Sequence, residues 1–172
     1  MSDGSIPGRA CGACDVCCVV FKIEEPAIAK EAGQPCRHLT KGGCAIYQTR
    51  PGTCRAWLCG WRLIAGLPEQ WRPDLSGILI YQMKCAEPGY GADAFIIALS
   101  HGLEHVKDMA VLGFIQNMVA RRIPLYLTLE PGKADKVEFL NPVLEPLIAR
   151  QDGPAFVEAV RRAIRSNRPS PN

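Results

Sequence analysis

Eight of the nine cysteines lie between Cys11 and Cys59, and four of them open the chain as Cys11-Gly-Ala-Cys14-Asp-Val-Cys17-Cys18. That stretch is also broken repeatedly by turn formers: Gly12, Gly33, Pro35, Gly42, Gly43, Pro51, Gly52 and Gly60. A segment so interrupted, with so few large apolar side chains, cannot bury enough surface to fold without a staple. Thiols can supply one as disulfides or as metal ligands. The start, Met1-Ser-Asp-Gly-Ser-Ile-Pro-Gly, has neither a basic nor an apolar export region, so the expectation is a cytoplasmic protein. No apolar run reaches bilayer length, and the longest, such as Phe95 to Leu99, are strand-sized. Cytosolic thiols stay reduced, which favours metal over cystine.

The spacing supports that choice. Two thiolates at C-x2-C reach one ion because the turn between them brings their sulfurs to about 3.8 Å, the edge of a tetrahedron with bonds of about 2.3 Å. Here the spacing is doubled, as C-x2-C-x2-C over Cys11, Cys14 and Cys17, with Cys36, Cys44, Cys54 and Cys59 further on. Neighbouring side chains on an extended backbone point to opposite sides, so Cys17 and Cys18 are expected to face different partners. Either two metal sites share that hinge, or one of the pair is a buried structural thiol. Zinc ribbons present two separate C-x2-C knuckles, whereas C-x2-C-x2-C with a remote fourth cysteine suits iron–sulfur ligation. No cysteine precedes a proline as in the bacterial ferredoxin run, so zinc and iron both stay open.

A resemblance becomes specific in these residues. Cys11-x2-Cys14-x2-Cys17-Cys18, then Gly43-Cys44-Ala-Ile46-Tyr47, then Arg50-Pro51-x2-Cys54-Arg55 occur in order. Together they resemble the YkgJ-type cysteine-cluster proteins, described as a zinc- or iron-chelating domain, some of which are labelled iron–sulfur oxidoreductases. The resemblance covers roughly residues 11–62. It implies chelation by Cys11, Cys14, Cys17, Cys18, Cys36, Cys44 and Cys54, with Cys59 as a further ligand.

Charge fits a thiolate site. Residues 1–62 hold eight Lys/Arg against five Asp/Glu, while the remaining 110 hold twelve of each. Four thiolates on one divalent ion leave a net charge of about −2, which Arg37, Arg50, Arg55 and Arg62 can offset. Arg50 and Arg55 are candidate donors to the sulfurs around the metal, or else solvated charges. The surplus of three is too small to argue for nucleic acid. Trp57 and Trp61 either shield the site from water or fill core.

The rest of the chain reads as α+β. Ser76 to Lys84 and Ala94 to Ser100 read as strands joined through Glu87-Pro88-Gly89. Leu103 to Arg121 carries one apolar face and reads as a helix. Pro124 to Leu129 and Lys136 to Leu140 flank Glu130-Pro131-Gly132, and helices are expected over Val143 to Arg150 and Pro154 to Arg165. A short helical turn is expected within Glu25 to Ala32, and a frayed tail from Ser166 to Asn172. The predicted architecture is a loop-rich, cysteine-ligated module over residues 1–65, packed on an antiparallel sheet with helices on one face over 66–172, the two expected to make one compact unit.

Other candidates carry less. His101-Gly-Leu-Glu104-His105 fits H-x-x-E-H, but a hydrolytic zinc needs a third protein ligand, and no histidine follows. His38 can replace a thiolate as ligand, though it sits in a loop. Cys85 stands alone and reads as a small buried hydrophobe. Arg161, Arg162, Arg165 and Arg168 form a basic helix end, which reads as a solvated face more readily than a nucleic-acid surface. The sequence therefore predicts a metal-binding protein holding iron, as an iron–sulfur cluster, or zinc. Its role is structural or metal-handling, or it is an iron–sulfur electron-transfer component; a zinc-module nucleic-acid binder is the weaker reading. A protein partner is left open and no membrane partner is expected.

Overall fold

The computed structural model describes residues 4–133 and 136–168. Residues 1–3 and 169–172, which the sequence places at an unmarked start and a frayed end, lie outside the described residues. The chain forms two compact units, 1–79 and 80–172.

The first unit is built from short pieces. Its helices are α1 (Val16–Val20), α2 (Gly52–Ala56), α3 (Gly60–Leu63) and α4 (Pro73–Ser76), and its only sheet among the described residues is the hairpin β1 (Leu39–Thr40) and β2 (Gly43–Cys44). The turn expected near Glu25 is a single 3-10 turn at Pro26–Ile28. Long side chains replace missing backbone pairing. Lys30 Nζ donates to the Val19 carbonyl at 2.8 Å and to that of Phe21, closing the C-terminal end of α1, where helix carbonyls lack partners. Arg9 reaches across the unit to the carbonyls of Trp61, Ile64 (2.9 Å) and Leu67, while Arg62 Nε donates back to Arg9 O at 3.2 Å.

Segment 66–79 belongs to this unit. Leu67, Trp71, Ile78 and Leu79 are buried there, and Trp61 Nε1 donates to Pro68 O at 3.2 Å. One glycine is required by space. Gly43 has φ +103°, and a Cβ there would stand 2.1 Å from the Gly12 carbonyl oxygen. The hairpin thus lies directly against the Cys11–Cys14 knuckle.

The second unit carries the conventional core. β3 (Ile78–Lys84), which the unit boundary cuts after Leu79, is followed by β4 (Asp93–Leu99), α5 (Met109–Ala120), β5 (Leu125–Thr128), β6 (Glu138–Phe139), α6 (Asn141–Ala149) and α7 (Gly153–Ser166). Sheet order is β3-β4-β5-β6. The α+β class stands, but the all-antiparallel sheet does not: β4 and β5 are parallel, Phe95 opposite Leu125 and Ala98 opposite Thr128, while β5 and β6 are antiparallel. The cause is the crossover. A 3-10 segment (Gly102–Lys107) and α5 carry the chain back to the starting end of β4, so β5 runs in the same direction. Two strand–turn–strand–helix repeats are therefore fused by a βαβ step.

The helix expected over Leu103 to Arg121 is split at Asp108. That residue caps α5 by accepting from Ala110 N at 2.8 Å, ending the 3-10 segment before it. Asp152 caps α7 in the same way through Ala155 N, with Pro154 in the first turn as expected. Arg161 and Arg165 on α7 pair with Glu158, consistent with a solvated basic face. Among the described residues no helix is long and apolar enough to cross a membrane.

Candidate metal centre

All eight cysteines of the first unit line a single cavity of about 250 Å3, and every lining residue falls within 11–79. The local folding explains the convergence. Gly12, with φ +54°, lets the chain turn so that Cys14 N–H donates to Cys11 O at 2.9 Å. α1 then carries Cys17 and Cys18 on successive helical positions, about 100° apart around the axis. This corrects the extended backbone expected there: on the helix the two thiols stay close enough to hydrogen-bond to each other and do not face opposite sides. Cys36 is tied to this turn by its N–H donating to Cys18 O at 3.0 Å, and β1–β2 returns Cys44 opposite Leu39, whose N–H donates to Cys36 O. Cys54 lies on α2 and Cys59 immediately before α3.

The walls are apolar. Phe21 and Trp57 meet at 4.8 Å between ring centroids, and both line the cavity, as does Trp61. Trp57 is half-buried and Trp61 is 4% exposed, so the pair serves both as core and as shield. His38 also lines the cavity. No carboxylate does so among the described residues. A lining dominated by soft sulfur, with one imidazole, suits zinc or iron–sulfur chemistry better than calcium or magnesium.

Cations surround the sulfurs. Lys22, Arg50, Arg62 and Arg72 line the cavity. Arg50 stacks its guanidinium 3.7 Å above the Tyr47 ring, and its buried Nε has no hydrogen-bond partner within the protein. Arg50 thus offers an unused donor among the residues that line the cavity. Arg55 is exposed on α2 and does not line the cavity. The contribution of Lys30, Arg72 and Asp74 had no signature in the sequence, because each acts through long-range folding and not through spacing.

The thiols respond to one another. Burial pushes the Cys14 thiol up to about 12, and Asp74 beside it accepts its proton in a hydrogen bond. Asp74 is itself held low by Arg72, whose Nε approaches its carboxylate at 2.7 Å. Cys17 hydrogen-bonds to Cys18, which holds the Cys17 thiol protonated and lowers Cys18, helped by Lys30 and Arg50. Burial raises Cys54 and Cys59. A bound cation reverses these preferences, since coordination deprotonates a thiol outright.

All nine cysteines are free thiols. Among the described residues, no three His, Cys, Asp or Glu donors already converge on the position of one ion. The sulfurs ring a volume instead of a point. Cys85 lies in the second unit, as do His101 and His105, whose rings stack at 5.2 Å outside this cavity. Compared with known proteins, the chain matches no family model, no curated protein and no solved structure.

Proposed function

We propose that the first unit is a thiolate metal-binding module, holding iron as an iron–sulfur cluster or zinc, in a YkgJ-type cysteine-cluster protein with a structural or metal-handling role. The observation that carries this reading is the gathering of all eight cysteines around one apolar, cation-rimmed cavity from four separate segments of chain. Chance would not bring residues 11–18, 36, 44 and 54–59 to the same wall. A cystine role fits the cavity poorly, since cystines need no cations such as Arg50 and Lys30 beside their sulfurs.

An electron-transfer role is the second reading, favoured by the number of sulfurs on one cavity, eight where a single zinc takes four. A single zinc draws its ligand sulfurs to about 3.8 Å of each other, whereas an iron–sulfur cluster holds them around a larger polyhedron. Anaerobic purification followed by metal analysis and a visible spectrum separates the readings. Iron with charge-transfer absorption that bleaches on reduction supports the cluster; stoichiometric zinc without colour supports a structural centre. Metal-free protein with mapped cystines contradicts both.

A further inference from the structure

The cavity wall carries a guanidinium with an unused donor, and its surroundings give that donor a task. We infer that Arg50 is a positioning residue of the metal centre: its Nε–H donates to a thiolate sulfur of the bound centre and tightens the hold of the cysteines on the metal. This rests on the thiolate reading above and deepens it by naming a residue outside the ligand set.

Local structure fixes the side chain. Tyr47–Thr49 is a single 3-10 turn with Arg50 as its C-terminal cap, and residues three apart in such a turn stand one above the other. Arg50 therefore lies on Tyr47, its guanidinium carbon 3.7 Å from the ring centroid. Pro51 holds Arg50 extended, at φ −50° and ψ 141°, and leads into α2, which carries Cys54. On the other side of the turn, Cys44 ends β2. The guanidinium is thus bracketed along the chain by two cysteines, and Tyr47, Arg50, Cys44 and Cys54 all line the cavity.

The aromatic face holds the guanidinium in place but gives its Nε–H no lone pair. That Nε is buried and has no hydrogen-bond partner within the protein. Folded proteins leave few such donors, because a buried one without an acceptor is costly. The side-chain acceptors on the cavity wall are mostly sulfur: eight cysteines against the His38 imidazole and the hydroxyls of Tyr47 and Thr53. A neutral thiol accepts weakly, whereas coordination strips its proton and leaves an anionic sulfur. Metal binding is therefore the event that gives Arg50 a strong acceptor. Arg55, exposed on α2 and outside the cavity lining, lacks that access.

Cobalt(II), a coloured substitute for zinc, tests this in the full chain kept free of oxygen. Arg50→Lys keeps the positive charge but places a methylene where the Nε–H stands. Hydrogen bonds to metal ligands are worth about 10–100-fold in affinity, so Arg50→Lys should bind cobalt more weakly by a factor in that range when a chelator competes. The sulfur-to-cobalt charge-transfer band should also move to longer wavelength, because a sulfur that loses a hydrogen bond gives up its electron more readily. Arg55→Lys should match the wild type in both. Unchanged affinity and band in Arg50→Lys overturn the inference. So does weaker binding with an unmoved band, which assigns Arg50 a purely structural role. A wild-type chain that shows no sulfur-to-cobalt band sinks the thiolate module itself, and the inference with it. Should Arg50→Lys not fold, the wild-type chain loaded with spin-active cadmium decides the matter. Through-bond coupling between the cadmium and the Nε–H of Arg50 supports the donation, and its absence contradicts it.

Discussion

The two units solve the problem of stability by different means. In the second, strands of seven residues and helices of twelve and fourteen pack a continuous core. Every one of the largest fully buried side chains belongs to it, among them Ile97, Leu99, Ile115, Leu125, Leu127, Leu144 and Ile164. Each such aliphatic contributes about 1.5–3 kcal/mol by leaving water. In the first, no helix exceeds five residues and the strands are two long. Its core is a handful of tryptophans and aliphatics around a cavity walled by cysteine. The lesson is that the same chain carries one unit held by apolar packing and one with little core of its own, for which we propose an inorganic staple.

The sharpest way to break that contrast is to remove a ligand. Cys14→Ser or Cys17→Ser should make residues 9–62 susceptible to limited proteolysis while a fragment covering the second unit survives. Simultaneous loss of both units would show that the staple serves the whole chain. Next in size is Gly43→Ala. The added methyl meets the Gly12 carbonyl at a φ of +103°, at a cost of about 2–4 kcal/mol from strain and overpacking. Metal content should fall with it, and an unaltered metal content would argue that the hairpin need not lie against the knuckle.

A smaller effect belongs to the second unit alone. Asn141 is fully buried; its Oδ1 accepts from Leu125 N at 2.8 Å and its Nδ2 donates to Ile123 O at 3.2 Å. Asn141→Leu strands both groups and should lower denaturant stability of that unit by about 1–3 kcal/mol, with metal content unchanged. Loss of metal in this variant would mean the units are not independent.

Smallest is a pH effect. His105 is buried, its Nε2 has no hydrogen-bond partner, and burial, with the neighbouring His101, lowers its affinity for a proton against the opposing pull of Asp108. The folded state therefore binds fewer protons than the unfolded one. The stabilising contribution is complete above the ordinary imidazole value of about 6.5 and is lost as pH falls from there toward the lowered folded value. Thermal unfolding of the second unit between pH 7.5 and 5.5 should show this slope, and His105→Phe should flatten it. An identical slope in the variant would assign the dependence to other groups.

Much of this was legible beforehand, and the omissions have physical causes. β3, β4, β5, α6 and α7 follow from alternation, apolar periodicity and Pro or Asp at helix starts. The parallel pairing of β4 with β5 does not, because Pro-Gly turns suggest hairpins and say nothing about where a helix returns the chain. The split at Asp108 escaped because Leu103, Val106 and Ala110 keep helical spacing across it. In the candidate site, the spacing of the cysteines suggests a shared site but not how they are brought together, which for Cys36 and Cys44 depends on the Cys36–Cys18 backbone bond and the β1–β2 register. Arg50 and Arg55 look equivalent in sequence, yet α2 turns Arg55 to solvent while Arg50 stacks on Tyr47 at the cavity. Lys30 and Arg9 hold the unit through carbonyls distant in the chain, which no local pattern reveals.

The central claim is that metal bound by the cysteines supplies the folding energy of the first unit and not of the second. Hydrogen exchange on oxygen-protected protein, before and after complete metal removal, tests it residue by residue. Amides in 9–62 should lose their protection on chelation while those of β4, β5, α5 and α7 keep theirs. Protection of 9–62 that persists in fully metal-free, fully reduced protein would contradict the account.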